Sequence, residues 1–457
     1  MKALYLASLL VGAIVALSCE SQPPMAPPDA LSLNHVRAST GPESTCVQDR
    51  DLDRRSAPLQ ILCAMTVPDV PLTGIAKSWF IHERNALYIA DQGNKGVDVM
   101  DLRSYTFAGR VTGFVGTATA GGGTATTNGQ GPNSMAPAEG NHLWVSDGNS
   151  QMQVVDLHSL SIIATVSTAT AACDGGTATT HYCGRANEMT YDPVHHVIMV
   201  VNPNPLDKTT HAPIPAYVTF IDAHRPYAIL GTISFPDARG TPEGPVWSRA
   251  THRLLLPVPT CNNAATCDPA KGATQYIAVI NGRTRSVEKK FDIPDCATLM
   301  PAITPPPTGM INDMSIDQRD QHVIMPVCGR GEVVFDARTG AVVHVVTEIA
   351  GSDQTWFNPG DGRFYLAAND PANANTRSLG VVDGRTGLWL QNVAAVGAVI
   401  PSASDFPANR VFTGVPASAG TTACTPFGVA ASGCVIVYEH EDGKPDKQHG
   451  HDSHDKH

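Results

Sequence analysis

Residues 85–111 read NALYIADQGNKGVDVMDLRSYTFAGRV, and this stretch decides the fold. Leu87–Ala90 is apolar and rich in β-formers, and a polar turn follows at Gln92–Gly96. Val97–Asp101 alternates, a tight turn covers Leu102–Tyr105, and Thr106–Val111 leads out. Period-two alternation between turn formers predicts three half-buried strands. The pattern recurs along the chain. Its end-of-strand acid returns at Asp101, Asp156, Asp222, Asp336 and Asp383, with Asn281 standing in once.

Working outward, the repeats assemble into blades. The first spans roughly Gly74–Val115 and the second Ser134–Val166. The third contains VIMVV and YVTFID, the fourth LLLPV and YIAVI, the fifth VIMPV and EVVFD, and the sixth FYLAA and LGVVD. The seventh has VFTGV and CVIVYE but no fourth strand, while Leu59–Val67 is a lone strand with no neighbour to pair with. Placing that strand on the last blade predicts an all-β, seven-bladed β-propeller of four-stranded antiparallel blades, closed by its N-terminal strand. A ring of sheets leaves few exposed edges. The recurrent acids start tight turns, where a carboxylate accepts backbone N–H groups two residues on. They are expected to be structural.

The repeat resembles the YVTN type of seven-bladed propeller, best at LYIADQGNKGVDVMDLRS. That resemblance covers residues 59–438 and implies the fold. Propellers of this kind serve unrelated roles, so function has to be argued from the site.

Composition agrees with an all-β chain. Only 16% of the 457 residues are charged, with 40 Gly and 35 Pro, and the net charge of −11 excludes nucleic acid as an expected partner. Residues 1–18 read as a signal peptide. Cys19 falls where bacterial lipoproteins carry their lipidated cysteine, and ordinary signal-peptidase cleavage is the alternative. Residues 19–45 read as a disordered tether, 46–438 as the propeller and 439–457 as a His-rich disordered tail. The expectation is an exported monomer, periplasmic or on the outer surface, anchored to a membrane through its lipid.

The chain has 11 cysteines, so setting Cys19 aside leaves an even number in an exported protein. Sequence neighbours pair as Cys46/Cys63, Cys173/Cys183, Cys261/Cys267, Cys296/Cys328 and Cys424/Cys434, although spacing alone leaves connectivity open.

First-to-second and third-to-fourth strand turns are short. The insertions fall in the second-to-third and blade-to-blade connections, which emerge on one face. Two of these insertions share the phrase GGTATT, at Gly122–Thr127 and Gly175–Thr180. On that face the innermost strands begin, and they bring Lys77, Asn133, Asn187, Asn312 and Gln354 to the mouth of the central channel as candidate ligand-binding residues. Glu188, Glu243, Asp313 and Asp353 add carboxylates. Hard oxygen donors converging on one axis suit Ca²⁺, and a hydrated polar channel is the alternative.

Pro242–Trp247 (PEGPVW) and Gly309–Asp317 (GMINDMSID) resemble segments of the gluconolactonase and senescence-marker propellers. That resemblance implies Glu243 as a divalent-metal ligand and Asn312 as a substrate or metal contact. His449, His451, His454 and His457 in the tail could bind Zn²⁺ or a similar ion weakly.

No nucleophile elbow, zinc-protease, CxxC, haem-attachment or phosphate-loop motif occurs. His195 and His196 share a short turn on the opposite face, and adjacent turn residues rarely ligate one metal together. No cofactor is fixed beyond a candidate divalent cation, Ca²⁺ or Zn²⁺. The leading expectation is a non-catalytic propeller that binds a protein or small-molecule ligand on its loop-bearing face. A metal-dependent lactonase-like hydrolase and metal handling by the tail are the alternatives.

Overall fold

The computed structural model describes residues 59–68, 70–116, 131–174, 176–177, 180–260, 275–303, 311–373, 376–394, 400–405, 410–417, 424, 427 and 433–440. These all belong to one compact unit, residues 37–457; a second unit, residues 1–36, lies outside the described residues.

Among the described residues, seven four-stranded antiparallel sheets make up the ring, and a two-stranded sheet, Gly176–Thr177 with Thr180–His181, lies in an insertion. From the axis outward, blade one is Ile75–Ile81, Ala86–Asp91, Gly96–Asp101 and Thr106–Thr112. Blade two is Met135–Ala138, His142–Asp147, Gln151–Asp156 and Ser161–Ser167. Blade three is Met189–Asp192, Val197–Asn202, Ala216–Asp222 and Ile229–Phe235. Blade four is Val246–Ser248, Arg253–Val258, Tyr276–Asn281 and Ser286–Asp292. Blade five is Ser315–Ile316, His322–Val327, Gly331–Asp336 and Val342–Val346. Blade six is Ala350–Asn358, Arg363–Asp370, Thr376–Asp383 and Trp389–Ala394.

Blade seven closes the ring as the sequence predicts. Its strands Ile400–Asp405, Arg410–Val415 and Cys434–His440 are completed on the outside by Leu59–Met65. The pairing runs from Leu59 opposite His440 to Met65 opposite Val435. Each inner strand touches the inner strands of both neighbouring blades, so the ring is continuous.

One irregularity repeats in every blade. The register between third and outer strands shifts at Val99/Met100, Val154/Val155, Phe220/Ile221, Val279/Ile280, Val334/Phe335 and Val381/Val382. The closing strand shifts in the same place, opposite Val437/Tyr438, at Ile61/Cys63. A bulge increases local twist, which lets the outer strand turn away from the axis. In the first six blades the next residue is the recurrent acid or its Asn substitute.

Those acids hold turns, as expected. Asp101 accepts the Arg103 N–H at 2.9 Å, Asp336 those of Arg338 and Thr339 at 2.8 and 2.9 Å, and Asn281 that of Arg283 at 2.9 Å. The core lies between blades. Second strands such as Ala86–Asp91 and Val197–Asn202 are buried at every residue, because a neighbouring sheet covers each face. Outer strands such as Ser286–Asp292 face water and bury little more than Phe291.

Cys173–Cys183, Cys296–Cys328 and Cys424–Cys434 are disulfide-bonded, as their spacing suggested. Cys63 is also disulfide-bonded, while Cys46, Cys261 and Cys267 lie outside the described residues. So do Cys19, the His-rich tail from residue 441 onward, the first GGTATT phrase and half of the second. Among the described residues, no helix is long and apolar enough to cross a membrane.

Candidate functional site

Lys77 on its inner strand and the segments that enter the other inner strands bring most of the predicted mouth residues into two polar strings. In the first, Gln92 Nε2 donates to Asn133 Oδ1 at 3.1 Å, Asn133 Nδ2 donates to Asn187 Oδ1, and Asn187 Nδ2 donates to Glu243 Oε1 at 2.8 Å. This relay links blades one to three with the Glu243 segment that leads into blade four. Asn133 and Asn187 each donate and accept, and Glu243 ends the chain as an acceptor.

The second string crosses the axis. The Lys77 ammonium pairs with Glu188 of blade three and with Asp313 Oδ1, 3.0 Å away, at the entry to blade five. The other Asp313 oxygen accepts the Thr355 backbone N–H of blade six at 3.0 Å. Two of the four predicted carboxylates therefore share one ammonium of the protein. Asp353 is exposed and Asn312 is half-buried.

Backbone contacts set these side chains in place. The Lys77 N–H donates to the Asn133 carbonyl at 3.1 Å, joining blades one and two. Asn133 N–H reaches the Ser146 carbonyl and Asn187 N–H the Val201 carbonyl, both at 2.8 Å. Gly244 lets the Glu243 segment approach the blade-five entry. It has φ of +55°, and a Cβ there would lie 1.9 Å from Asp313 Oδ1.

Burial raises the carboxyl of Glu243 to about 7, with Glu188 adding repulsion and Arg185, 3.8 Å away, offsetting part of it. Burial likewise raises Asp313, against the pull of Lys77. Burial alone would lower the Lys77 ammonium; Asp313 and Glu188 reverse that and hold it above the ordinary lysine value.

Farther along the same strands, toward the end that bears the first-to-second turns, the channel becomes a cavity of about 350 Å³. Lys77 and Gln354 border it, and its aromatic wall comprises Trp79, Tyr191, Trp247, Trp356 and Phe357. Trp79 and Trp356 meet edge to face with centroids 4.9 Å apart. The buried hydroxyls of Ser78, Ser315 and Thr355 and the indole N–H of Trp247 have no protein hydrogen-bond partner, and all four residues line this space.

Sequence reasoning gathered the polar mouth and missed the aromatic wall. A signal was available: only five Trp occur in the chain, and three of them sit near the downstream end of inner strands.

No protein-family model and no curated protein matches the chain. Among solved structures, the chain is similar to the β-propeller domain of Myceliophteria thermophila Cps50 (Swd1). The TM-score is 0.54 at 10% identity, covering 84% of this chain and 99% of that one. At that identity the likeness establishes the fold alone. The chain is a seven-bladed β-propeller.

Proposed function

We propose that this propeller is a non-catalytic binding protein whose axial cavity takes a small, flat, largely apolar ligand. The observation that carries this reading is the cavity wall. Aromatic faces surround about 350 Å³, a setting suited to a flat apolar ring. The polar strings cap the space at the loop-bearing end. In this reading the insertions on that face engage a protein partner, and the chain is a lipid-anchored exported protein of YVTN-like type.

The ion pairing of Lys77 favours binding over metal-dependent lactone hydrolysis, because Glu188 and Asp313 already share a cation. Glu243 makes hydrolysis the second reading, since a carboxyl raised to about 7 at the channel mouth is suited to acid–base work.

Tryptophan fluorescence tests the proposal. Titration of the full chain with a panel of planar aromatic acids and amides should give saturable quenching with at least one of them. That quenching should weaken at least tenfold in Trp356→Leu, with no product formed from any lactone offered. Turnover of a lactone that disappears in Glu243→Gln would replace binding with hydrolysis.

A further inference from the structure

We infer that Glu139, His196 and His224 form a binding site for a divalent transition-metal ion of the Zn²⁺ type, on the face opposite the insertions. The three residues come from three separate turns. Glu139 lies between Met135–Ala138 and His142–Asp147 of blade two. His196 lies between Met189–Asp192 and Val197–Asn202 of blade three, and His224 lies between Ala216–Asp222 and Ile229–Phe235 of that blade.

Their donor atoms all lie within 4.8 Å of one another. His196 Nδ1 is 2.6 Å from Glu139 Oε1, and His224 Nε2 is 2.8 Å from Glu139 Oε2. The two rings are 4.7 Å apart. Tyr191 completes the group, with its hydroxyl bonded to Glu139 and 3.5 Å from His196 Nδ1.

The decisive feature is the second nitrogen of His224. Its Nδ1 faces Asp222 Oδ1 at 3.1 Å while its Nε2 faces Glu139. A neutral imidazole has one N–H, so it cannot donate to carboxylates on both sides. With its N–H on Nδ1 for Asp222, the ring turns the Nε2 lone pair toward Glu139, and a metal ion held by both residues would replace that contact. A carboxylate holding the outer nitrogen is the usual support of a metal-bound histidine, since it fixes the tautomer and aims the other lone pair. Two imidazoles and one carboxylate are a donor set that Zn²⁺ accepts, with a fourth position left to solvent or a partner. The side chains are 41% to 53% exposed, so an ion has access. His195 takes no part: its Nδ1 is held 2.7 Å from Asp192.

The tail histidines would obscure a direct titration, so the reference protein is the full chain with His449, His451, His454 and His457 changed to Ala. Titrated with Zn²⁺ alone, it should bind one equivalent and gain thermal stability. Co²⁺ in its place should give the visible absorption of a low-coordinate nitrogen–oxygen site. In the same background, Glu139→Gln, His196→Gln and His224→Gln should each weaken Zn²⁺ binding at least tenfold and abolish the stability gain. His158→Gln, on another exposed turn, should leave both unchanged. Far-ultraviolet circular dichroism on each variant confirms the fold. Failure of the reference protein to bind a stoichiometric ion, or binding that survives both His196→Gln and His224→Gln, would overturn the assignment.

Discussion

Lys77 of blade one reaches across the channel to Asp313, 3.0 Å away at the entry to blade five, with Glu188 of blade three on its other side. The three side chains are nearly buried, so their charges are weakly screened. Removing the cation strands two carboxylates in a low-dielectric setting. Lys77→Met should destabilise the protein by about 3–5 kcal/mol, the usual cost of breaking a buried ion pair. Adding Glu188→Gln and Asp313→Asn to Lys77→Met should recover part of that loss in urea denaturation. If the triple variant is no more stable than Lys77→Met, the ion pairs are not what the lysine contributes.

Glu332, on the third strand of blade five, is fully buried, and burial pushes its carboxyl up to about 8 from an ordinary 4.5. Between those values the native state holds a proton that the unfolded chain has lost. This group's contribution is therefore complete below pH 4.5 and declines as the pH rises through 8. Glu332→Gln stays neutral throughout. Its stability relative to the parent should rise by a few kcal/mol (order of magnitude) from pH 5 to pH 9. Parallel stability curves for the two proteins would show that Glu332 does not bury a proton.

Gly244 combines a left-handed backbone with the tight approach to Asp313. An alanine there meets strain and a collision at once. Gly244→Ala should cost more than about 2 kcal/mol in thermal unfolding. It should also weaken the coupling between Lys77 and Asp313 measured by a double-mutant cycle. An unchanged melting temperature would mean that this segment can move aside.

The Cys296–Cys328 bond closes a loop with a sequence separation of 32 and ties the approach to blade five to that blade's second hairpin. On the loop-entropy model, replacing both cysteines with alanine should lower stability by about 3–4 kcal/mol. Denaturation of the double variant, compared with the parent under oxidising conditions, measures the difference. Equal midpoints would place the constraint elsewhere.

How much of this could be read from the chain depends on the range of each interaction. The strands, turn acids and three described disulfides are local or nearly so, and their residues announce them. Ring closure was also legible, because Leu59–Met65 had no neighbour and blade seven lacked a strand. The mouth residues were found from strand starts, but Lys77 was read as a ligand contact beside acids left to repel one another. Its pairing with Glu188 and Asp313 depends on three blades meeting at the axis, and no sequence spacing encodes that. The aromatic wall was hidden for the same reason. Glu139, His196 and His224 were harder still, since each sits in an unremarkable turn. The visible His195–His196 pair pointed at a neighbour that bonds Asp192 instead.

The seam in blade seven also sets a timetable for synthesis. A ribosome delivers Leu59–Met65 long before Cys434–His440, its only edge to dock on, has been made. The growing polypeptide must therefore carry an unsatisfied edge until Cys434–His440 has been made, and closure joins segments from opposite ends of the propeller. A premature stop anywhere in blade seven would leave both edges open at once, and the expected product is a chain that pairs with its own copies.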